Sequence, residues 1–347
     1  MTAISHSTPT TAERPIISVR DLRVLFRTPG GKDPIRAVDG VDFDVQPGET
    51  LGIIGESGSG KTSLGRALVS LITPDSGQIL HDGLDPTTLR GARFRAHRRD
   101  YQIIFQDPSA ALDPRMTVLD SVAEPLAIVR AADDAARRRE ALAMLARVGL
   151  PRDLAERYPH QLSGGQKQRV NIARALMLRP KVIVCDEVVA ALDVSLRGEI
   201  LNLFADLQRA FGLTYIFITH DIAVVSHISD RIAVIYLGKL MELGAADAVM
   251  GEPLHPYTQA LLSAEPLALP AALRPKRRIM LEGEVPNPAA PPSGCRFRTR
   301  CPVARPRCAS EAPLWREVTP GHSVACHFAE VAGRPQRDAI LSTSMQK

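Results

Sequence analysis

The chain has 347 residues, 45% of them hydrophobic, so it can bury a full core and has room for about two domains. Its formal net charge of +5 permits acidic partners but selects none, and a merely solvated surface accounts for it as well. No stretch approaches the length of a membrane-spanning helix, and Met1 to Arg14 is polar, which excludes the apolar core of a signal peptide and predicts a disordered start.

The segment Ile16 to Val45 is predicted to form paired strands, because its apolar residues are spaced as in half-buried strands. Phe26 is the aromatic residue that stands out in this segment. Its flat apolar face would suit an adenine ring, but a phenylalanine in a strand is more often part of the core. The residues leave both interpretations open.

Residues Gly55 to Thr62 fit the phosphate-loop pattern G-x-x-x-x-G-K-[ST]. The buried-type strand Thr50 to Ile54 precedes the loop, and a helical pattern begins at Ser63, which is the order that such a loop requires. Glycines let the backbone N–H groups turn inward, and the helix N-terminus adds positive potential beneath the phosphates. We predict that Lys61 contacts the β- and γ-phosphates and that Thr62 binds Mg²⁺. The predicted nucleotide-binding residues here are Gly55, Ser57, Gly58, Ser59, Gly60, Lys61, Thr62 and Ser63.

Two further features precede the middle of the chain. Arg90 to Arg99 is dense in arginine. This density fits either a nucleic-acid patch or a solvated helix face, and the scarcity of interleaved aromatic residues favours the helix face. The strand Tyr101 to Phe105 ends at Gln106. In a parallel sheet that carries a phosphate loop, this is the edge at which ligands bind, so the Gln106 carbonyl is predicted to reach Mg²⁺ or a water molecule.

A helical block from Val118 to Tyr158 comes next and is predicted as part of a helical subdomain over about residues 107–180. It leads to Leu162-Ser163-Gly164-Gly165-Gln166, where another helix begins. Ser163 would cap this helix, leaving free N–H groups that can bind an anion. Taken alone this is an ordinary helix start, and only the neighbouring motifs can give it a functional meaning.

The strand Val182 to Cys185 is followed by the carboxylates Asp186 and Glu187. Beside a phosphate loop, an aspartate at a strand end is predicted to bind Mg²⁺, and the adjacent glutamate to polarise the attacking water. Acids at the solvated end of a buried strand are the alternative, which the upstream loop makes improbable.

A third carboxylate and a histidine come next in the chain. Asp193 directly precedes a helical pattern, and the apolar strand Thr214 to Thr219 ends at His220. A lone histidine is more often structural, but one at this edge of the sheet could contact the γ-phosphate.

Together these motifs resemble those of ATP-binding-cassette (ABC) ATPases, the nucleotide-hydrolysing subunits of ABC transporters, over about residues 16–251. The resemblance implies an α/β fold: an ABC-type nucleotide-binding domain with a phosphate-loop core sheet, an antiparallel β subdomain and a helical subdomain. It also implies the roles of Phe26 (adenine stacking), Gly55 to Thr62 (Walker A), Gln106 (Q-loop), Ser163, Gly164, Gly165 and Gln166 (signature), Asp186 (Walker B), Glu187 (catalytic glutamate), Asp193 (D-loop) and His220 (switch histidine). Val188 and Ala190 stand where this family commonly has proline and serine, and neither change removes a catalytic group.

In this family two cassettes meet head to tail, so that each ATP lies between the phosphate loop of one and the signature helix of the other. The single cassette here contributes two half-sites. The resemblance therefore implies that the chain pairs with another cassette, and that the isolated chain binds ATP but hydrolyses it slowly.

Residues 252–347 differ in character and resemble the C-terminal extension of oligopeptide and dipeptide transporter ATPases, through His255-Pro256-Tyr257 and a cysteine-bearing tail. This resemblance implies a peptide importer with two transmembrane permease subunits, an extracytoplasmic binding protein and a paralogous ATPase, hence a heterodimer rather than a homodimer. Nickel importers share much of the extension, so nickel or another small solute remains an alternative cargo. The chain is expected at the cytoplasmic face of the cell (inner) membrane as a peripheral subunit, without a nucleic-acid partner.

Four of the five cysteines fall in this tail, separated by five, six and seventeen residues: Cys295, Cys301, Cys308 and Cys326. Clustered thiols in a cytosolic protein indicate a metal rather than disulfides. Zinc sites usually pair cysteines two to four residues apart, so the wider spacing favours a 4Fe-4S cluster, with zinc and unmetallated thiols as alternatives. The positive charge of nearby arginines is expected to offset the negative charge of a thiolate-bound cluster. These arginines are Arg296, Arg298, Arg300, Arg305 and Arg307.

The sequence thus predicts an ATP-hydrolysing subunit that drives uptake of short peptides, with an ATPase domain over residues 15–251. ATP binding would close the dimer of cassettes, and the region around Gln106 and the helical block would transmit this movement to the membrane subunits. A soluble cassette ATPase that acts on nucleic acid or ribosomes is the competing class, but two cassettes or a long coiled coil would be usual there. A regulatory cassette that binds ATP without hydrolysing it conflicts with Glu187 and His220.

Overall fold

The computed structural model describes residues 14–27, 30, 33–264 and 279–329, so the predicted disordered start lies almost entirely outside the described residues. The strands are β1 (Ile17–Phe26), β2 (Ile35–Val45), β3 (Thr50–Ile54), β4 (Ser76–His81), β5 (Tyr101–Ile104), β6 (Val182–Asp186), β7 (Thr214–Thr219), β8 (Arg231–Tyr236), β9 (Lys239–Ala245), β10 (Arg316–Thr319) and β11 (His322–Val324). The α-helices are α1 (Lys61–Leu68), α2 (Gly91–His97), α3 (Val118–Ile128), α4 (Asp134–Arg147), α5 (Gly164–Leu176), α6 (Val194–Phe211), α7 (Ile222–Ile228), α8 (Ala246–Gly251), α9 (Pro256–Ala264) and α10 (Pro306–Ser310). None of the helices in these ranges is both long and apolar enough to span a membrane.

The central sheet is mixed and, within the described ranges, has the strand order β10-β11-β9-β8-β3-β7-β6-β5. Strands β8, β3, β7, β6 and β5 run parallel, and β9, β11 and β10 continue the sheet antiparallel at one edge. Strands β3, β6 and β7 are buried along their whole length, which explains why the sequence shows continuous apolar runs there instead of alternation. The predicted α/β architecture is confirmed.

A smaller antiparallel sheet with the order β2-β1-β4 packs against the central sheet. The paired strands predicted between Ile16 and Val45 are β1 and β2. Their buried side chains share one core with α1 and the central strands, including Val24, Val38, Ile53, Leu64 and Ile216. This core fixes the phosphate loop, which lies between β3 and α1, relative to both sheets.

The helices α3, α4 and α5 form a separate layer whose buried residues join the core beside β5, β6 and β7. Side-chain caps define where α3 and α4 begin: Thr117 Oγ1 accepts from Asp120 N–H at 3.1 Å, and Asp133 Oδ1 accepts from Ala136 N–H at 2.7 Å. Each cap satisfies an N–H group that the helix itself cannot pair. The limits of 107 and 180 for a helical subdomain stay a prediction.

The C-terminal region shares the central sheet, because β11 pairs with β9. The link is reinforced by Glu242 on β9, which is fully buried and accepts from Leu254 N–H at 2.7 Å, His255 N–H at 2.9 Å and His322 Nε2–H at 2.8 Å. A buried carboxylate is tolerated only when it is paired in this way. The predicted division of the chain at residue 251 stays a prediction.

A buried ion pair also joins the C-terminal region to the antiparallel sheet. Arg296 donates to Asp39 and to the carbonyl of Leu237, and the ion-paired side chains are 6% and 5% exposed. Burial alone would raise the pKa of Asp39, but the neighbouring cations, with Arg296 first, hold its pKa below the ordinary value. The buried Asp39 carboxylate is therefore stabilised by its cationic neighbours.

We expect Arg296→Met to lower the free energy of unfolding by about 3 kcal/mol, because Asp39 then loses its buried partner and keeps more exposed partners such as Arg23, at 2.8 Å. Arg307→Met is the matched control: Arg307 pairs with Glu311 at 2.8 Å, but the two side chains are 58% and 55% exposed. That change should cost less than about 1 kcal/mol. Denaturant unfolding of the full chain measures both, and equal losses would contradict a special role for the Arg296 pair.

Candidate functional site

The predicted phosphate loop lies with Gln106, Asp186, Glu187 and His220 at one edge of the central sheet, where its parallel strands end. Because the strand order is β3-β7-β6-β5, the phosphate loop after β3, His220 after β7, Asp186 and Glu187 at the end of β6 and Gln106 after β5 are neighbours. This edge is where open α/β sheets bind ligands.

The phosphate loop is packed so closely that two of its glycines could not carry a side chain. At Gly60, φ is +103° and a Cβ would collide with the carbonyl oxygen of Ala37. At Gly55, a Cβ would collide with the carbonyl oxygen of Ile235. The Ser59 hydroxyl is buried and has no hydrogen-bond partner among the described groups, which leaves it available to a ligand in the loop.

Lys61 is folded back over its own loop. Its Nζ donates to the carbonyl oxygens of Gly55 at 2.7 Å and Glu56 at 2.9 Å. Burial lowers the pKa of Lys61, and the carboxylates of Glu187, Asp186 and Glu56 act in the opposite direction. The ammonium thus lies between the loop and the acidic side of the site, where a phosphate anion would be favoured.

Thr62 and Asp186 are in direct contact, since Thr62 Oγ1 donates to Asp186 Oδ1 at 3.1 Å. Asp186 is 3% exposed, and burial raises its pKa despite the hydrogen bond from Thr62. A hydroxyl and a carboxylate at this separation present oxygen ligands of the kind that Mg²⁺ takes. The chemistry of this pair fits the predicted magnesium site.

Glu187 meets both other predicted catalytic residues. Its Oε2 accepts from Gln106 Nε2 at 2.8 Å, and its Oε1 is 3.1 Å from His220 Nδ1. Its backbone has φ +49°, a left-handed conformation that costs a non-glycine residue about 1–2 kcal/mol and concentrates at functional sites. Groups that follow β5 and β7 therefore orient a carboxylate that could polarise a water molecule.

Ser163 and Asp193 serve as helix caps in this chain. Ser163 Oγ accepts from Gln166 N–H at 3.3 Å, and Gln166 Oε1 accepts from Ser163 N–H at 2.9 Å. Asp193 accepts from Leu196 N–H at 2.9 Å. Among the hydrogen bonds of the described residues, none joins these two segments to the phosphate loop. The structure does not bring the Ser163–Gln166 start of α5 into the cluster of Lys61 and Glu187.

The structure also describes the surroundings of Phe26 and of the turn that follows Glu187. Phe26 ends β1 and is 42% exposed, which excludes the core interpretation, while stacking on adenine stays a prediction. Val188, which stands where the family commonly has proline, is buried, and Ala190 N–H donates to the Glu187 carbonyl at 3.1 Å. The turn after Glu187 is thus closed without a proline.

The four cysteines of the tail line one small cavity of about 20 Å³, together with the rings of His255, Phe297 and Phe328. This is room for about one water molecule. Burial, with a smaller effect of the neighbouring thiols, raises the pKa of Cys295 to about 11 and that of Cys301 to about 12. The prediction of a bound metal is not supported: within the described ranges, no group of three or more histidine, cysteine, aspartate or glutamate side chains is placed to hold a metal ion.

The expectation that the tail's arginines offset a cluster charge is wrong for most of them, because other groups engage them. Arg296 pairs with Asp39, Arg300 with Glu56 and Arg307 with Glu311, while Arg305 lies over the ring of Phe328.

The contact between Glu56 and the C-terminal region is one that the sequence did not predict. Arg300 Nη1 donates to Glu56 Oε2 at 2.7 Å, and Glu56 N–H donates to Tyr257 Oη at 2.8 Å. The residues lie 244 and 201 positions apart in sequence, so no local pattern links them.

Two known families match parts of the chain. The family described as "ABC transporter" matches residues 38–190, and "Oligopeptide/dipeptide transporter, C-terminal region" matches residues 241–308. The chain is 47% identical over 319 residues to the oligopeptide transport ATP-binding protein AppF of Bacillus subtilis, covering 90% of this chain and 97% of AppF. It is 47% identical over 325 residues to the oligopeptide transport ATP-binding protein OppF of Escherichia coli, covering 91% and 97%.

Solved structures show the same fold. The dimeric ATP-binding cassette MJ0796, in a post-hydrolysis state bound to ADP and Pi, is 31% identical with a TM-score of 0.60, covering 66% of this chain and 98% of that one. CbiO1 of Clostridium perfringens, part of the ABC transporter complex cbiONQ, is 31% identical with a TM-score of 0.61, covering 68% and 91%.

We expect Gly60→Ala to abolish ATP binding, because the new Cβ has no room beside the Ala37 carbonyl and the loop must move. Gly212→Ala is the control: Gly212 also has positive φ, at +65°, but a Cβ there meets nothing within 4 Å. It should cost only the backbone strain of about 1–2 kcal/mol and leave ATP affinity intact. Calorimetric titration with ATP compares them, and retained affinity in Gly60→Ala would contradict the steric argument.

Proposed function

This chain belongs to the ABC transporter family of ATP-binding proteins, and we propose that it hydrolyses ATP to drive the import of di- and oligopeptides. The observation that carries the proposal is the 47% identity to two oligopeptide transport ATP-binding proteins over about nine tenths of the chain. The match of residues 241–308 to the oligopeptide/dipeptide C-terminal region supports the same cargo class.

The loop and the two acidic residues at the end of β6 have distinct roles in the proposed reaction. Lys61 would exchange its carbonyl partners for the β- and γ-phosphates, and backbone N–H groups of the loop other than those of Glu56 and Ser59, which already donate within the protein, would hold the remaining phosphate charge. Thr62, Asp186 and the carbonyl of Gln106 would hold Mg²⁺, which would neutralise part of that charge. Phe26, exposed at the end of β1, would stack on the adenine.

Glu187 would polarise the attacking water, and its two neighbours would orient it. The Gln106 amide donates to Glu187 through nitrogen, so its carbonyl oxygen stays free for the metal. His220, 59% exposed in its side chain, can turn from Glu187 towards a γ-phosphate. The carboxylate is thus aimed before substrate binds, which reduces the reorganisation needed in the transition state.

A second cassette would complete the site. Ser163 and the N–H groups of Gly164 and Gly165 make an anion-binding helix start, yet they do not contact this chain's own phosphate loop. The similar cassette MJ0796 is dimeric. We propose that Ser163 to Gln166, with Asp193 beside them, face the ATP bound to the partner, and that the partner is a paralogous ATPase in a heterodimer.

A groove beside the Gln106 segment would receive a permease subunit and hold the chain at the cytoplasmic face of the membrane. The cavity there has a volume of about 540 Å³ and lies between residues 110–116, α3 and α5. Arg174 braces it by donating to the Ala111 carbonyl and to Glu124, each at 2.6 Å. A loop inserted here would sense movement of the segment that carries Gln106.

We also propose that the four tail cysteines bind a 4Fe-4S cluster, with zinc as the alternative. Four thiols line one cavity, and thiolates are the ligands that both metals take. Backbone N–H groups of Phe297, Val303 and Phe328 are directed at three of the sulfurs and favour their thiolate forms. Cluster binding would require these side chains to turn towards one another.

In the assembled complex with permeases, partner ATPase and binding protein, we expect ATP hydrolysis to rise on adding di- or oligopeptides and not on adding nickel salts. Stimulation by nickel alone would overturn the peptide assignment. The isolated chain, verified as a monomer, should hydrolyse ATP far more slowly than the complex. Equal rates would contradict the shared site.

Glu187→Gln and Glu156→Gln form a matched pair of variants in that assay. Glu187→Gln should keep ATP binding and lose activity about 100-fold or more, as the loss of a general base does. Glu156→Gln changes an exposed carboxylate paired with Arg138 at 3.4 Å and should leave the rate unchanged. Full turnover in Glu187→Gln would remove its assigned role.

For the cysteines, anaerobically purified chain should contain iron and acid-labile sulfide in equal amounts and show a broad visible absorption. Cys301→Ala should lose both, whereas Cys185→Ala, which changes a buried cysteine of β6 outside the set, should retain them. A colourless protein that holds one zinc ion would refute the cluster.

A further inference from the structure

The segment from Cys295 to Cys301 lies against the phosphate loop and touches it at Glu56. Arg300 donates to the Glu56 carboxylate at 2.7 Å, with side chains only 10% and 25% exposed. The N–H group of Glu56 donates to Tyr257 Oη at 2.8 Å. Both the side chain and the backbone of Glu56 are therefore held by residues of the C-terminal region.

The same segment also braces the hairpin between β8 and β9 that supports the loop from the other side. Arg296 donates to the Leu237 carbonyl, and the adjacent Gly238 N–H donates to the Ser59 carbonyl at 2.9 Å. Gly238 in turn accepts from Asp39 N–H at 2.8 Å. Of two arginines four positions apart, Arg300 thus contacts the loop directly at Glu56, and Arg296 contacts the hairpin that binds the loop at Ser59.

Phe297 keeps this segment in place, because its ring is fully buried among three others. Ring centroids of Tyr236, Tyr257 and His255 lie 5.4, 5.2 and 5.7 Å from that of Phe297. Packing of this kind leaves Arg300 little freedom. A rigid element therefore presents the guanidinium to Glu56.

We propose that Arg300 is a positioning residue for nucleotide binding: it fixes Glu56, and with it the phosphate loop, in the conformation that accepts phosphates. The inference rests on the proposed nucleotide role of the loop and adds that the C-terminal region sets its affinity. A loop that is already held in its binding conformation spends less binding energy on ordering itself. Without Arg300, the second residue of the loop would lose its side-chain partner and the loop could relax.

The test compares ATP affinity, by calorimetric titration of the full chain, in Arg300→Met, Glu56→Gln and the double variant. Loss of a shielded, charge-assisted contact predicts about tenfold weaker binding of both ATP and ADP in either single variant. Since both changes break the Arg300–Glu56 contact, the double variant should bind ATP no more weakly than Arg300→Met, which also removes the 3.5 Å hydrogen bond to Tyr236 Oη. Arg300→Lys should restore part of the affinity, because it keeps the charge but not the planar fork.

Two results would overturn the proposal. If Arg300 acted by direct attraction of phosphates, Arg300→Met would weaken binding while Glu56→Gln, which removes a negative charge, would strengthen it. If the contact were merely structural, the melting temperature would fall while the affinity of the folded protein stayed the same. In the complex, the positioning role predicts a raised KM for ATP with kcat retained.

Arg298→Met is the matched control, because Arg298 lies in the same segment but donates to the carbonyl of Ser293 at 2.9 Å instead of to the loop. It should leave ATP affinity unchanged, and a tenfold loss there would point to net charge rather than position. The experiment distinguishes failure of the proposed nucleotide site from failure of the proposed positioning role of Arg300. Absent ATP binding by the unaltered chain would refute the nucleotide site, whereas intact binding in Arg300→Met would refute only the positioning role.

Discussion

The structure depends on the close packing of one backbone loop between two supports. Residues 55–60 lie between the start of β2 and the end of β8 so tightly that Gly55 and Gly60 have no space for a side chain. Glycine at these positions lets the backbone curl so that N–H groups of the loop can face a bound phosphate. The helix α1 then begins at Lys61 with its positive end beneath them. The remaining functional groups are arranged around this fixed point.

The position of the Glu187 carboxylate depends on the order of the strands. Strand β6 lies between β7 and β5, so a residue at its end can contact residues that follow either neighbouring strand. Glu187 is hydrogen-bonded in this way to Gln106 and His220. The same order places Asp186 beside Thr62 at the start of α1. Burial raises the pKa of Asp186 and lowers that of Lys61, which is tolerable because ligands of opposite charge would pair with both.

The C-terminal region is part of the ATPase rather than an appendage to it. It extends the central sheet through β11, surrounds the buried Glu242 with hydrogen-bond donors, and places Phe297 in an aromatic cluster with Tyr236. A region that shares a core with the nucleotide site cannot move independently of it. This explains physically how a tail that is remote in sequence can bear on the phosphate loop.

The sequence by itself determined the parts that are local. The phosphate loop, the acids after β6, the cap at Ser163 and the buried strands can all be predicted because each is encoded within about ten residues, by glycine placement, capping chemistry or apolar runs. The family resemblance also identified the fold and the ATPase function.

Only the tertiary structure decided which of these residues meet. Packing of strands distant in sequence brings Gln106 and His220 to Glu187, and the shared C-terminal core joins Arg300 to Glu56 and Arg296 to Asp39. The arginines of the tail looked like counter-charges for a cluster because sequence spacing shows charge but not direction. Contacts across more than two hundred residues depend on sheet order and core packing, which no local pattern encodes.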